Sequence, residues 1–482
     1  PRREGDAEVL VELLHDGTLI EAQRQRAQWS AALGGSAVGV RFGTRLTIPG
    51  LYELRVGCTL RDGAGSVALT SHGGFVVRDE ALLRSAPPLR VRDDMLWRGD
   101  TPFVVAGTSY MAGDVQRSFL FDPNPWQWDS DFAAMRASGV NLVRTGIWTG
   151  WRRIMFDSGA VDEGVLRAFE AFVHVAARHG IVVIFSFFAF LPESWGGANP
   201  YLDPRAVAAQ SAFIAAFVRR MRNVQWLIWD LINEPSFCSP SRLWQCRPNY
   251  DAWEEQAWRA WLTARHSNGN PEQLQRVLGD LWRSDTGEYG AIPRLDEFED
   301  AHLFSDRRPL KAMEYRLFAQ QAFTDWALAL RAVIAETGGG AQLVMVGQDE
   351  GGTMDRPSPM FFAPAVDIGS IHNWWFNDDI LWDSIVTRAP GKAHLVQESG
   401  VMMYERADGL PWRSEEEVAR LLERKLTVSL GAGSIGYVHW LWNSNPWMPS
   451  DNEAAIGALR ADGSAKPEYD VLRRLNAFIG KH

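Results

Sequence analysis

The hydrophobic pattern divides the chain into two parts, and the first is rich in short β segments. Within residues 7–79, apolar and polar positions alternate or β-branched residues dominate, and the segments are separated by Asp16-Gly17, Pro49-Gly50 and Asp62-Gly63. Short strands divided by turn pairs at this spacing are typical of an antiparallel sandwich. We therefore predict an immunoglobulin-like N-terminal β-sandwich over residues 1–88.

From about residue 102 onward, apolar runs of strand length alternate with amphipathic helical stretches. This alternation indicates parallel α/β architecture, and eight strand–helix units match a closed (β/α)₈ barrel better than an open sheet. Helix start signals agree: Asp203 is followed by Pro204, and Ser414 with Glu417 forms a capping box. We predict a TIM barrel over residues 89–482, with strands at 102–110, 140–147, 181–188, 225–233, 342–348, 366–373, 393–399 and 434–442.

One connection of this barrel, residues 235–341, is too long to be a plain crossover. Helical patterns near 251–265 and 271–284 indicate a helical insertion on the active face, and a wall built there would favour an exo-acting pocket over an open endo-acting cleft. Cys238 and Cys246 lie close together in this interval. They are able to form a small disulfide ring in an oxidising compartment.

Composition narrows the function classes. Apolar residues make up 46% of the chain and charged residues 22%, as in soluble globular proteins. The net charge is −10 with no basic block, which argues against nucleic acid or anionic lipid as a partner. The most apolar run, 181–191, is about half of the roughly 20 residues that span a bilayer, so we expect no membrane span.

Two glutamates follow apolar strands at the end of the barrel where active sites lie. Glu234 follows the strand at 225–233 within Asn233-Glu234-Pro235, and Glu398 ends the strand at 393–399. Taken alone, a glutamate at a strand end fits a loop cap or an arginine partner as well as catalysis. Two carboxylates facing one another are what glycosidic bond cleavage requires, and the distance between them separates retention from inversion.

Asn233-Glu234-Pro235 after the fourth strand and Glu398 after the seventh resemble the clan of retaining β-glycoside hydrolases. This clan includes the family 5 cellulases and mannanases and the family 2 β-galactosidases and β-mannosidases. The similarity extends to residues 102–110 on strand one, 128–144 through strand two, and Trp440 on strand eight. It covers most of residues 91–482, and the Asn-Glu-Pro element is its most specific part.

The resemblance implies a role for individual residues. Glu234 corresponds to the general acid/base, Glu398 to the nucleophile, and Asn233 to the partner of the sugar 2-hydroxyl. Arg144 would support the ionised nucleophile, because a nearby cation lowers the pKa of a carboxyl group. Trp374 stands where family 5 commonly has a tyrosine that contacts the nucleophile.

Further candidates have less specific signals. His372 fits a core histidine as well as a site residue, and Trp440 and Trp442 share one strand face, so either fits the floor of a sugar site. Tryptophans after strands two and three, and two other acidic residues near strand ends, are candidates for the cleft or for one catalytic position; these are Trp148, Trp151, Trp195, Glu193 and Glu350.

Other hydrolase classes lack their motifs. We find no His-x-His after strand one, no Cys-x-x-Cys pair, no phosphate-binding glycine loop and no Gly-x-Ser-x-Gly elbow. We therefore expect a retaining β-glycosidase, secreted or periplasmic rather than cytoplasmic, that acts on a β-linked oligo- or polysaccharide and needs no metal or organic cofactor. The alternatives are an endo-acting β-glucanase or mannanase and a catalytically inactive carbohydrate-binding barrel.

Overall fold

The computed structural model describes residues 4–30, 37–62, 65–113, 115–148, 151–156, 159–238, 245–281, 290–300, 310–338, 340–349, 355–374, 384–385, 387–389, 391–404, 410–448 and 450–481. Contacts divide the chain into two compact units. The first comprises residues 1–86, 118–137 and 167–181, and the second comprises residues 87–117, 138–166 and 182–482.

The first unit contains a four-stranded antiparallel sheet. Its strands are Glu4–His15, Thr18–Ser30, Gly50–Asp62 and Gly65–Val77, in the spatial order second, first, third, fourth. Asp16 and Gly17 join the first two strands and both have positive φ, 47° and 74°. A two-residue turn of this kind suits the twist of a hairpin, and glycine adopts it without strain.

The predicted antiparallel β domain is confirmed, but its described residues form a single sheet and not the two layers of a sandwich. A helix packs where we expected a second sheet: Pro125–Ala137 lies against the third and fourth strands. Trp126 stacks on His72 with ring centroids 4.4 Å apart, and Asn124 donates to the backbone oxygen of His72 at 3.0 Å. The helix covers part of the third and fourth strands, while Val67 and Leu69 of the fourth strand stay more than half exposed.

The second unit contains the closed barrel, whose eight strands we number β1 to β8. All eight predicted strands are present, each shorter than or equal to the predicted run, and they pair in parallel in chain order until β8 pairs with β1. Gly436 begins β8 with φ of 139°, and a Cβ there would lie 2.0 Å from the backbone oxygen of Val105. The strands are Val105–Ser109, Leu142–Gly146, Val182–Ala189, Leu227–Asn233, Leu343–Gly347, Ile368–Asn373, Ala393–Ser399 and Gly436–His439.

The predicted helix starts at 204 and 415 are observed. Asp203 accepts from the backbone N–H of Arg205 ahead of Pro204–Arg220, and Ser414 with Glu417 forms the capping box of Glu415–Gly431. The other α-helices are Glu80–Ser85, Trp151–Ile154, Glu163–Arg178, Ala252–His266, Pro271–Leu281, Leu295–Asp300, Leu310–Gly338, Pro359–Phe362, Asp451–Ala455 and Pro467–Ile479, and short strands lie at Leu89–Arg92, Met95–Arg98 and Thr101–Pro102. No described helix is long and apolar enough to cross a membrane.

The long connection after β4 is partly an ordinary barrel element. Its last helix, Leu310–Gly338, packs against Pro204–Arg220, and the Trp326 indole donates to Gln210 Oε1 at 2.7 Å. The short strands Phe237–Cys238 and Cys246–Arg247 pair in parallel. Cys246 is a free, buried cysteine in the structure, so the predicted Cys238–Cys246 bridge is not formed there.

Candidate active site

The two candidate carboxylates converge at the C-terminal end of the barrel. Glu234 directly follows β4, and Glu398 is the penultimate residue of β7. A carboxylate oxygen of Glu234 lies within 4.8 Å of one of Glu398. Retaining glycosidases hold their two carboxyl groups about 5–5.5 Å apart, whereas inverting enzymes need roughly 6.5 Å or more to admit a water. The close approach of these two oxygens is consistent with the shorter, retaining spacing.

Both carboxylates open into a cavity of about 390 Å³. The size suits a sugar ring with part of its neighbour, since ligand pockets usually span about 300–1,000 Å³. The cavity is lined by Arg117, Trp148, Ala189, Phe190, Asn233, Glu234, Asp349, Arg356, Trp374, Glu398, Met402, Trp440, Ser450, Asn452, Glu453 and Ile456.

Arg144 in β2 lies beneath the cavity and is fully buried. Its Nη1 donates to Glu398 Oε2 at 2.6 Å, while Nη2 donates to Asn233 Oδ1 at 2.5 Å and to Asp230 Oδ2 at 3.1 Å. The planar guanidinium group suits such forked contacts. Because Arg144 occupies the amide oxygen of Asn233, the Asn233 NH₂ group is the part left to donate elsewhere.

Opposing effects act on Glu398. Burial raises the pKa of its carboxyl group above the usual value, and the Glu234 charge adds to this effect; His372, Arg144 and the Trp374 hydrogen bond lower it. Arg144 therefore acts in the direction we expected, but burial outweighs it. The Trp374 indole N–H donates to Glu398 Oε1 at 2.8 Å, so this tryptophan makes the contact that family 5 commonly makes with tyrosine.

His372 in β6 belongs to the site and not merely to the core. Its Nδ1 lies 3.0 Å from Glu234 Oε1 and 3.7 Å from Glu398 Oε2, and its Nε2 lies 3.1 Å from Gln397 Oε1. The ring is fully buried, and burial lowers its pKa below the ordinary histidine value.

Two site residues were not predicted from the sequence. They are Asp230 in β4 and Gln397 in β7, and both are fully buried. Gln397 Nε2 donates to Asp230 Oδ2 at 2.9 Å, and Ser186 donates to the same oxygen. Their only signal is polarity within an apolar strand, as in Trp229-Asp230-Leu231 and Val396-Gln397. A buried polar side chain in a barrel strand must find partners inside the barrel.

Of the candidate tryptophans Trp148, Trp195, Trp440 and Trp442, two line the cavity and two do not. Trp148 and Trp440 line the cavity, with ring centroids 5.9 Å apart, and the Arg144 guanidinium lies 5.0 Å from the Trp148 ring. Trp442 does not line it and packs on Tyr469 at 5.9 Å, because β8 ends at His439 and the strand alternation we assumed through 442 does not continue. Trp195 is half-buried and is not among the lining residues.

Other candidates also lie away from the cavity. Glu193 and Trp151 are not among the described lining residues; Trp151 donates to the backbone oxygen of Phe187 at 3.1 Å. Glu350 lies outside the described residues.

Every barrel strand, or the loop that follows it, contributes to the cavity lining at the C-terminal end of the barrel, and side-chain contacts join several of the loops after β1, β5, β7 and β8. Arg117 pairs with Glu453 at 3.1 Å, and Asp349 pairs with Arg356 at 2.6 Å. Asn452 accepts the backbone N–H groups of residues 403 and 404 at 3.0 and 2.7 Å, which ties the β7 loop to the helix Asp451–Ala455. No described residue of 235–341 lines the cavity, so the wall we expected from the insertion is built by these other loops.

Within the described part of the chain, potential metal ligands cluster at Glu234, His372 and Glu398. The Arg144 guanidinium 2.6 Å from Glu398 places a permanent positive charge beside them, which disfavours a bound cation. The trio fits an acid–base cluster better than a metal centre. Independence from any cofactor stays a prediction.

Residues 102–303, less than half of the chain, match the family model Cellulase (glycosyl hydrolase family 5). Over its first four barrel strands the chain is thus similar to the family 5 glycoside hydrolases, and its fold is a closed (β/α)₈ barrel. The match includes β1 to β4 and reaches Asn233 and Glu234, which lie in the cavity. No curated protein matches the chain.

Solved structures share its fold at low identity. The exo-beta-1,4-mannosidase Op5Man5 from Opitutaceae bacterium strain TAV5 is 14% identical with a TM-score of 0.53, over 81% of this chain and 63% of that chain. The GH5_18 protein from Bifidobacterium longum subsp. longum ATCC 55813 is 15% identical with a TM-score of 0.53, over 78% and 79%. A beta-galactosidase from Halorubrum lacusprofundi is 14% identical with a TM-score of 0.58, over 78% and 58%. The chain thus spans less than two thirds of the mannosidase and of the galactosidase.

Proposed function

We propose that the protein is a retaining, exo-acting β-glycosidase that removes terminal sugars from β-linked oligosaccharides. The observation that carries the proposal is the approach of Glu234 and Glu398 to within 4.8 Å at the floor of one cavity. That distance leaves room for an anomeric carbon but not for a water between the carboxylates.

In the first step, Glu398 attacks the anomeric carbon while Glu234 gives a proton to the departing oxygen. The C1–O bond breaks, its electron pair goes to the leaving group, and a C1–O bond to Glu398 forms. Arg144 and Trp374 fix the two oxygens of Glu398 before reaction, so the nucleophile needs no reorganisation. The Asn233 NH₂ group is available to the 2-hydroxyl, because Arg144 holds its carbonyl oxygen.

In the second step, Glu234, now ionised, removes a proton from water as the water attacks the same carbon. The glycosyl bond to Glu398 breaks and the carboxylate is regenerated. Two inversions at one carbon give net retention.

The proposal of exo action depends on the contacts that join the loops around the cavity. The Arg117–Glu453 pair and the Asn452 hydrogen bonds join the loops after β1, β7 and β8, and all three side chains line the cavity. A chain that is blocked on one side of the catalytic pair is able to enter only by its end. The fold neighbours include an exo-beta-1,4-mannosidase, and a variant of the Bifidobacterium GH5_18 protein was solved with Manβ1-4GlcNAc. β-Mannosides are therefore the first substrates to test, followed by β-galactosides and β-glucosides.

The test combines activity with covalent labelling. We expect the wild type to hydrolyse one of the aryl β-mannosides, β-galactosides or β-glucosides with retained configuration. Proton NMR of the first-formed sugar product reports that configuration. A 2-deoxy-2-fluoro glycoside of the same sugar should label Glu398.

Glu398→Gln should lose turnover by a factor of about 10⁴ or more without unfolding, whereas the control Glu193→Gln should keep wild-type rates. Binding without hydrolysis across the panel would identify an inactive carbohydrate-binding barrel instead. Labelling of another carboxylate would reassign the nucleophile.

A further inference from the structure

The hydrogen bonds beneath the active site determine where one proton lies. They begin at Asp230, whose Oδ2 accepts from Arg144 Nη2 at 3.1 Å, from Ser186 Oγ at 2.5 Å and from Gln397 Nε2 at 2.9 Å. Its Oδ1 accepts from the backbone N–H of Gly347 at 2.8 Å. An ionised carboxylate only accepts hydrogen bonds, and the charge of Arg144 keeps this one paired.

The orientation of Gln397 follows from Asp230. The amide group that faces a carboxylate must be the NH₂ group, since the alternative brings two acceptors together. The amide oxygen of Gln397 therefore faces the other way, 3.1 Å from His372 Nε2 and 3.2 Å from Ser370 Oγ. Chemical complementarity fixes this orientation without any appeal to the assigned atom names.

The tautomer of His372 follows in turn. An imidazole nitrogen that faces a carbonyl oxygen must carry hydrogen to bond with it, so Nε2 of His372 is the donor. In a neutral ring, Nδ1 is then the acceptor, and it lies 3.0 Å from Glu234 Oε1. Two acceptors do not bond at that distance unless a proton lies between them.

We propose that Asp230 and Gln397 act as positioning residues that hold His372 in its Nε2–H tautomer, so that Glu234 carries the proton of the Oε1–Nδ1 hydrogen bond in the resting protein. The inference rests on the proposed function, because it explains how the general acid starts each cycle protonated. Burial of His372, which lowers its pKa, agrees with a neutral ring.

The arrangement serves both steps. When the Glu234 carboxyl group turns towards the substrate, its O–H bond breaks and the leaving oxygen gains the proton. The carboxylate then faces the lone pair of Nδ1, and this repulsion favours recapture of a proton. The attacking water supplies that proton and so restores the resting state.

The surroundings of His372 are mixed in charge. Glu398 from β7, Asp349 after β5 and Asp230 from β4 favour the charged ring, whereas burial and Arg144 from β2 oppose it. Glu234, which directly follows β4, places its Oε1 3.0 Å from Nδ1 of the ring. The chain from Asp230 decides which nitrogen is protonated, and these charges affect only whether a second proton is added.

The direct test is ¹⁵N NMR of histidine-labelled wild-type protein, with the His372 signal assigned by its loss in His372→Gln. We expect one N–H at Nε2 and a bare, hydrogen-bonded Nδ1 at neutral pH. A ring protonated at Nδ1, with or without Nε2, would overturn the proposal. Because this readout needs no turnover, it stands apart from the test of the proposed function.

The second test removes the Gln397 amide, which connects Asp230 to His372 by hydrogen bonds. Gln397→Met leaves His372 free to place its hydrogen on Nδ1 and donate to an ionised Glu234, so the basic limb of the kcat/KM profile should move down by about one pH unit. At pH 7, rates for poor leaving groups should fall by about 10- to 100-fold, and rates for a dinitrophenyl leaving group by less than about threefold.

The matched control is Ser370→Ala, which removes another neighbour of the Gln397 oxygen but keeps Asp230 and His372 connected; its profile should stay at the wild-type position. Equal losses for both leaving groups in Gln397→Met, with an unmoved basic limb, would show a merely structural glutamine and contradict the proposal.

Discussion

Trp374 and Glu398 form a direct hydrogen bond, with the indole N–H 2.8 Å from Oε1 of the carboxylate. Arg144 holds the other oxygen at 2.6 Å. Arg144 lies in the middle of β2 and Trp374 directly follows β6, so donors from two different strands hold the two oxygens of the Glu398 carboxylate.

We expect Trp374→Phe to shift the acidic limb of the kcat/KM profile to higher pH. The indole hydrogen bond lowers the pKa of Glu398, so its loss raises that pKa, and a smaller fraction of the nucleophile is ionised at any given acidic pH. A hydrogen bond to a charged group is worth about 1.5–3 kcal/mol, so the limb should move by about one to two pH units. Trp442→Phe, outside the cavity, should leave the limb in place, and an unmoved limb in Trp374→Phe would contradict the assignment.

Arg144→Met should cost both stability and activity. The substitution leaves Asp230 and Glu398 buried without their shared cation, and breaking a buried ion pair in this way costs about 3–5 kcal/mol. Urea unfolding of the variant measures the loss. Arg259→Met removes an exposed pair with Glu255 and should change the free energy of unfolding by about 0.5 kcal/mol or less. Similar losses in the two variants would argue against the central role of Arg144.

Asn452→Ala should loosen the wall between the β7 loop and the helix Asp451–Ala455. Its side chain accepts from two backbone N–H groups of the β7 loop, and these lose their partner. We expect a higher ratio of internal to terminal cleavage on a β-linked polysaccharide, measured by viscosity against released sugar. Asn270→Ala, which removes a backbone contact elsewhere, is the control. An unchanged ratio would show that Asn452 does not restrict access.

Gln320→Ala should weaken substrate binding more than turnover. Gln320 donates to the backbone oxygen of Arg356 at 2.7 Å and accepts from the backbone N–H of Ser358 at 2.8 Å, which fixes the segment that carries Arg356 into the cavity. We expect KM to rise by about three- to tenfold, with stability lowered by about 1–3 kcal/mol. The exposed neighbour in Gln321→Ala should alter neither quantity, and a change confined to kcat would refute the assignment.

The sequence predicts the barrel well because its strands are buried on both faces and read as continuous apolar runs. Glu234 and Glu398 stand out because each is a charge at the end of such a run. Asp230 and Gln397 lie inside their strands, and a single polar residue in an apolar strand does not indicate which side chains it contacts. Those partners come from strands distant in the chain.

The predictions that differ from the structure have local causes. Trp442 shares a strand face with Trp440 only if the strand continues to residue 442. Because β8 ends at His439, Trp442 does not face the cavity with Trp440. The second sheet of the N-terminal domain is replaced by Pro125–Ala137, which lies far along the chain from the strands it covers. The cavity wall depends on side chains such as Asn452 and Glu453, which carry no periodic signal.

The absence of described residues 245–300 from the cavity lining has a practical consequence. We expect substitutions of exposed residues in that stretch to leave Glu234 and Glu398 in their positions, because the residues that hold them, Arg144, His372 and Trp374, belong to the barrel strands or directly follow them. Surface properties, partner recognition and thermal tolerance are therefore free to diverge there while the bond-breaking chemistry is preserved.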